Sequence, residues 1–125
     1  MSPQARKRLV IATTNRAKLR ELFVLLSDVK QELVLLSDLG IEADMEESGK
    51  TFNDNAVLKA QGYGAISGLP TLADDSGLEV DALRGEPGVY SARFAGKDAT
   101  DDDRIALLLA KLRDIPEKQR TARFR

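Results

Sequence analysis

Three short polar stretches carry most of the chemistry this chain could perform. The first is TTNRAK, Thr13 to Lys18, where two hydroxyls, an amide and a lysine cluster within six residues. If a helix begins there, its first-turn N–H groups and partial positive charge make an anion seat. The plainer alternative is a helix cap followed by a surface lysine. The second is ADDSG, Ala73 to Gly77. Adjacent carboxylates raise each other's pKa or demand a cation, and such pairs suit Mg²⁺ through oxygen ligands. A simple turn is the alternative, since Asp, Ser and Gly all favour one.

The third stretch, EESGKT, Glu46 to Thr51, contains the Gly-Lys-Thr that closes many phosphate-binding loops. The full pattern requires a further glycine five positions before Gly49. Asp44 stands there, and an aspartate at the mouth of a phosphate cradle repels the ligand. The phosphate-loop interpretation therefore fails. What remains is a second carboxylate pair, Glu46 and Glu47, with Lys59 further along; solvated loop charge is its ordinary explanation. Taken together, two acidic pairs and the lysines Lys18 and Lys59 suit hydrolysis of a phosphate ester or anhydride with a hard cation.

Composition narrows the choice. The 125 residues fit one domain, and 42% apolar content is enough for a core. Nineteen basic residues against twenty acidic ones leave a net charge of −1, which does not favour a nucleic-acid partner. The basic run Arg6, Lys7, Arg8 reads as a solvated tail. There is no cysteine and no histidine, so catalysis must lean on carboxylates, lysines, hydroxyls or a hard metal. No apolar run approaches the ~20 residues of a membrane span. A soluble, cytoplasmic setting is the default expectation.

The polar stretches need elements to hold them. RLVIAT, Arg8 to Thr13, is β-branched and apolar, the pattern of a buried strand. Leu19, Leu22, Phe23 and Leu26 then recur at helical spacing. Glu32 to Leu36 is a second strand candidate, and Ser37 to Glu47 is irregular. Thr51 to Gly64 reads as a helix with Phe52, Ala56, Ala60 and Tyr63 on its inner face. Thr71 to Ala73 and Leu78 to Val80 are extended, and GEPG, Gly85 to Gly88, is a turn. Thr100 to Arg113 is the clearest helix, capped by Thr100, with Ile105, Leu108, Leu109 and Leu112 as its stripe. TARFR, Thr121 to Arg125, reads as the beginning of another strand. Strands alternating with helices predict an α/β layered fold.

The runs TTNRAKLREL, EESGKTFNDNAVLKA, LPTLADDSGLEVDAL and GEPGVYSARFAG, in this order and spacing, resemble the inosine triphosphate pyrophosphatase family from Leu9 to Phe124. That resemblance implies hydrolysis of ITP, dITP or XTP to the monophosphate and pyrophosphate. It implies an elongated central mixed sheet flanked by helices, two lobes around a cleft, Mg²⁺ and a homodimer. It also implies that residues 1–125 form a single α/β domain, the first two-thirds or so of a family member, lacking the C-terminal part that contacts the base.

By position in the family motifs, Thr13, Thr14, Asn15, Arg16, Ala17 and Lys18 form the triphosphate-binding loop. Ala17 stands where the family commonly has glycine. One of Glu46 and Glu47 matches the metal-binding carboxylate, and Lys59 a lysine facing the phosphates. Asp75 matches the metal ligand and base for water, with Asp74 beside it and Ser76 contacting substrate. The competing expectation is an inactive nucleotide-binding fragment or interaction remnant. A haloacid-dehalogenase-type phosphatase fits poorly, because that chemistry wants two aspartates separated by one residue.

Overall fold

The computed structural model describes residues 7–125, and Arg6 of the N-terminal basic run lies outside them. The described residues divide into two compact units, one ending at Asp74 and the other beginning at Asp75.

The first unit runs β1 (Arg8–Ile11), α1 (Arg16–Leu25), β2 (Glu32–Leu35), α2 (Phe52–Ser67) and β3 (Thr71–Leu72). Its sheet has the order β2-β1-β3 with every pair parallel, Ile11 lying opposite Leu35 on one side and Leu72 on the other. Parallel neighbours require crossover connections, and α1 and α2 supply them. Successive side chains of a strand point to opposite faces. Val10, Ile11 and Ala12 are nonetheless all buried, at 0, 1 and 2% exposure, so β1 is covered on both faces. This explains why it reads as an unbroken apolar run rather than an alternating one.

The basic residues at the start of β1 are not a loose tail. Arg8 opens the strand opposite Glu32, and the Lys7 carbonyl accepts the Glu32 N–H at 2.8 Å. The ladder takes them because a strand's backbone donors must find acceptors.

The helices of this unit differ in how they pack. Asn15 caps α1, its Oδ1 accepting from the N–H groups of Ala17 (3.0 Å) and Lys18 (3.3 Å). No residue of α1 is buried. Leu19, Leu22 and Leu26 of the expected stripe are half-buried, while Phe23 is exposed, as are Val24 and Leu25. Thr51 caps α2 by accepting the Asp54 N–H at 3.0 Å. That helix runs past the expected Gly64 to Ser67, and Gly68 ends it in the left-handed region at φ 68°. A glycine inside a helix costs about 1 kcal/mol relative to alanine, which tertiary packing absorbs. Gly68 instead sits where glycine is favoured, just past the last turn.

The second unit contains β4 (Leu78–Val80), α3 (Asp101–Lys111) and β5 (Ala122–Phe124). β4 and β5 pair antiparallel, Leu78 opposite Phe124, and Gly77 and Arg125 extend the ladder by exchanging two bonds of 2.9 Å. Asp81 ties the pair together: its carboxylate accepts from Thr121 Oγ1 (2.6 Å) and from Arg123 (3.0 Å). The GEPG turn folds back on β4, where the Val80 N–H donates to the Glu86 carbonyl at 3.1 Å.

Thr100 and Asp103 form a reciprocal capping box at the start of α3. The Thr100 N–H donated to Asp103 holds that carboxyl below its ordinary pKa. Only Leu112, just beyond the helix, is buried from the expected stripe; Ile105 and Leu109 are exposed. The α/β class, with parallel and antiparallel pairing flanked by helices, is as the sequence pattern implies. No helix among the described residues is long and apolar enough to cross a membrane.

Candidate functional site

In open α/β sheets ligands bind beyond the carboxyl ends of the strands, at the point where strand order reverses. With the order β2-β1-β3, that point lies between β1 and β3. The parallel register pairs Ile11 with Leu72, and the Ala12 N–H donates to the Leu72 carbonyl at 2.8 Å. Two residues further along each chain stand Thr13 and Asp74. TTNRAK and the first aspartate of ADDSG therefore leave the sheet side by side.

Lys18 closes this corner. Its ammonium lies 3.1 Å from the Asp74 carboxylate, with the lysine side chain 23% exposed. The helix-cap alternative for TTNRAK is realised, but its lysine is not a free surface group. Asn15 is a helix cap and already takes the N–H groups of Ala17 and Lys18. Lys18, however, is drawn onto a carboxylate at the strand end rather than left in solvent. The Thr13 hydroxyl is spent locally, accepting the Asn15 N–H at 3.2 Å. Thr14, Arg16 and Ala17 are exposed.

The second acidic pair is held by α2. Glu47 forms an ion pair with Lys59 at 3.3 Å, both side chains largely shielded, while Glu46 is exposed. The segment carrying these glutamates lies against α2. Tyr63 Oη donates to the Ala43 carbonyl at 2.9 Å, and burial raises the Tyr63 pKa above its ordinary value. Met45 presses on Gly62, where a Cβ would collide with its sulfur. At the other end, the Gly49 N–H donates to Asn55 Oδ1 at 2.7 Å. A Cβ on Gly49 would come within 2.6 Å of Asp54 Cβ and 2.7 Å of that same oxygen. Gly49, prominent in the sequence as part of Gly-Lys-Thr, is there for close approach to a helix.

One apolar cluster roots these pieces. Val10, Ala12, Leu36 and Tyr63 are buried together, and Met45 and Ala73 pack on them. Ala12 precedes Thr13, Met45 precedes Glu46, Ala73 precedes Asp74, and Lys59 lies one turn before Tyr63. The TTNRAK loop, one acidic pair and the first aspartate thus grow from a single core.

Asp75 and Ser76 are half-buried at the start of the second unit. Among the described residues no three acidic side chains are gathered into a cage. Mg²⁺ does not require one, since it commonly takes one or two carboxylates and completes its shell with water and substrate phosphates. The donors at hand are all hard oxygens, two of them (Asp74 and Glu47) paired with a lysine that a phosphate could recruit, and this chemistry fits Mg²⁺.

Sequence inspection missed Asn55. It is 0% exposed, and its Nδ2 has no hydrogen-bond partner among the described residues. A signal was present: Asn55 falls three residues after Phe52 and four before Lys59, on the helix face assigned to the core. An amide there needs a reason, because an unsatisfied buried donor costs about 1–3 kcal/mol.

These features define an α/β protein in which TTNRAK, Lys18 and Asp74 meet at the reversal point of a parallel sheet. A sequence profile described as Ham1p_like, Ham1 family, matches residues 9–125, and the chain belongs to that family. It is 52% identical to the dITP/XTP pyrophosphatase of Shigella flexneri over 118 residues, 94% of this chain and 59% of that one. It is 49% identical to the protein of the same name from Vibrio cholerae over 118 residues, with 94% and 58% covered. A HAM1 protein from Coxiella burnetii superposes with a TM-score of 0.83 at 42% identity, over 94% of this chain and 59% of that one. A nucleoside-triphosphatase, or dITP/XTP pyrophosphatase, from Mycobacterium abscessus gives 0.78 at 44% identity, with 94% and 61% covered. The chain therefore spans about three-fifths of the length of these relatives.

Proposed function

We propose that the protein hydrolyses non-standard purine nucleoside triphosphates, ITP, dITP and XTP, to the monophosphate and pyrophosphate. The observation that carries this is the shared root of the TTNRAK loop, the Glu46–Glu47 segment and Asp74 on one apolar cluster, with Lys18 drawn onto Asp74. The names of the relatives support the choice of substrate.

In this account Thr13, Thr14, Asn15, Arg16, Ala17 and Lys18 receive the triphosphate, and Ser76 contacts the substrate. Glu46 or Glu47 with Asp74 and Asp75 hold Mg²⁺, which supplies charge neutralisation on the phosphate chain. Asp75 orients a water and takes its proton as the oxygen adds to the α-phosphorus. The bond to the bridging oxygen breaks and pyrophosphate leaves, its charge met by Lys18 and Lys59. Those lysines are held ready by Asp74 and Glu47, so phosphate replaces an existing partner. The enzyme would act in the cytoplasm as a homodimer.

The test is product analysis with ITP, XTP and ATP in the presence and absence of Mg²⁺. Pyrophosphate released in a Mg²⁺-dependent manner, faster from ITP and XTP than from ATP, is the expected result. Orthophosphate as the product, or no turnover, contradicts the proposal.

A further inference from the structure

Glu46 and Glu47 sit on a segment with no regular secondary structure, yet a metal-binding carboxylate has to be presented in a fixed direction. The segment is held at both ends against one face of α2: the Ala43 carbonyl on Tyr63 Oη, Met45 on Gly62, and the Gly49 N–H on Asn55 Oδ1. The two glutamates lie between these attachments, and Lys59, also between them, pairs with Glu47.

Asn55 is the least expected part of this arrangement. At 0% exposure its side chain has, among the described residues, a single hydrogen bond, to Gly49, and its Nδ2 has none. An apolar side chain of similar size would fill the space without burying an unpaired donor. The amide therefore gains its place through the Gly49 bond, and Gly49 must lack a Cβ for that 2.7 Å bond to form.

We infer that Asn55 is a positioning residue that fixes the main chain at Gly49 and thereby sets the direction in which Glu46 and Glu47 present their carboxylates. This role rests on the proposed assignment of those glutamates as Mg²⁺ ligands. Outer contacts of this kind change metal affinity by about 10–100-fold when lost.

The experiment compares the 125-residue chain with Asn55→Ala and with Asn55→Leu, which keeps the branching and number of side-chain heavy atoms but not the acceptor. Two quantities are read on each: hydrogen exchange at the Gly49 amide, and the Mg²⁺ concentration giving half-maximal pyrophosphate release. Thermal unfolding identifies which variants remain folded. The expected result is Gly49 exchange faster by about tenfold or more and a Mg²⁺ midpoint raised about 10–100-fold. Combining Asn55→Leu with Glu46→Gln and Glu47→Gln should then add little, because the amide acts through those side chains. An unmoved Mg²⁺ midpoint in a folded variant overturns the inference. So does an undiminished effect in the double-glutamine background, or an unchanged Gly49 amide. If the unsubstituted chain shows no Mg²⁺-dependent turnover, the functional proposal fails first and this role falls with it, a result distinct from the other three.

Discussion

Asp75→Asn should leave a folded protein whose pyrophosphate release is lowered at least about a hundredfold. The substitution keeps the side-chain shape, so the half-buried position after Asp74 is not emptied. It removes the negative charge that a cation would use, and an amide oxygen cannot take a proton from water. Loss of a general base alone is worth about 10²–10⁴ in rate. Asp74→Asn should be milder in turnover and act first on Lys18, whose carboxylate partner at 3.1 Å it neutralises. Steady-state rates with ITP beside thermal unfolding curves check both. An unchanged rate in Asp75→Asn would remove that residue from the mechanism.

Ile11→Ala should cost about 2–5 kcal/mol, the range for emptying a large aliphatic side chain from a packed interior. Ile11 is 1% exposed in the central strand of the parallel sheet, with a neighbouring strand on each side. Whole domains are stable by only about 5–15 kcal/mol, so this one change consumes a large fraction of the total. Val24→Ala on α1 is the control: at 74% exposure it should stay within about 0.5 kcal/mol. Urea unfolding midpoints measure the pair. Similar midpoints for the two variants would mean that β1 is not the centre of the core.

Which parts of this architecture could be read from residues alone follows from how local each cause is. The helix starts were legible because Asn15, Thr51 and Thr100 act within three residues of themselves, and all three caps form. β1 was legible because a strand covered on both faces leaves an unbroken apolar run. Exposure was less so. The stripes through Phe23 and through Ile105 and Leu109 have correct helical spacing, yet these side chains remain exposed, since periodicity reports a face and not what covers it.

The pairing of Lys18 with Asp74 joins residues far apart in the chain through the β1–β3 register, which no spacing rule reveals. Asn55 was hidden for a related reason. Its value lies in a bond to Gly49, a residue whose own prominence came from a phosphate-loop pattern it does not complete. The glycine of EESGKT serves the helix beside it.

The most direct test of the central claim is amide-shift mapping of the isotopically labelled chain titrated with ITP and Mg²⁺, under conditions that slow turnover. If the loops rooted on the Val10–Ala12–Leu36–Tyr63 cluster form one triphosphate seat, the largest shifts will fall together on Thr14 to Lys18, Glu46 to Gly49 and Asp74. Shifts confined to other parts of the chain, or on only one of these three segments, would contradict it.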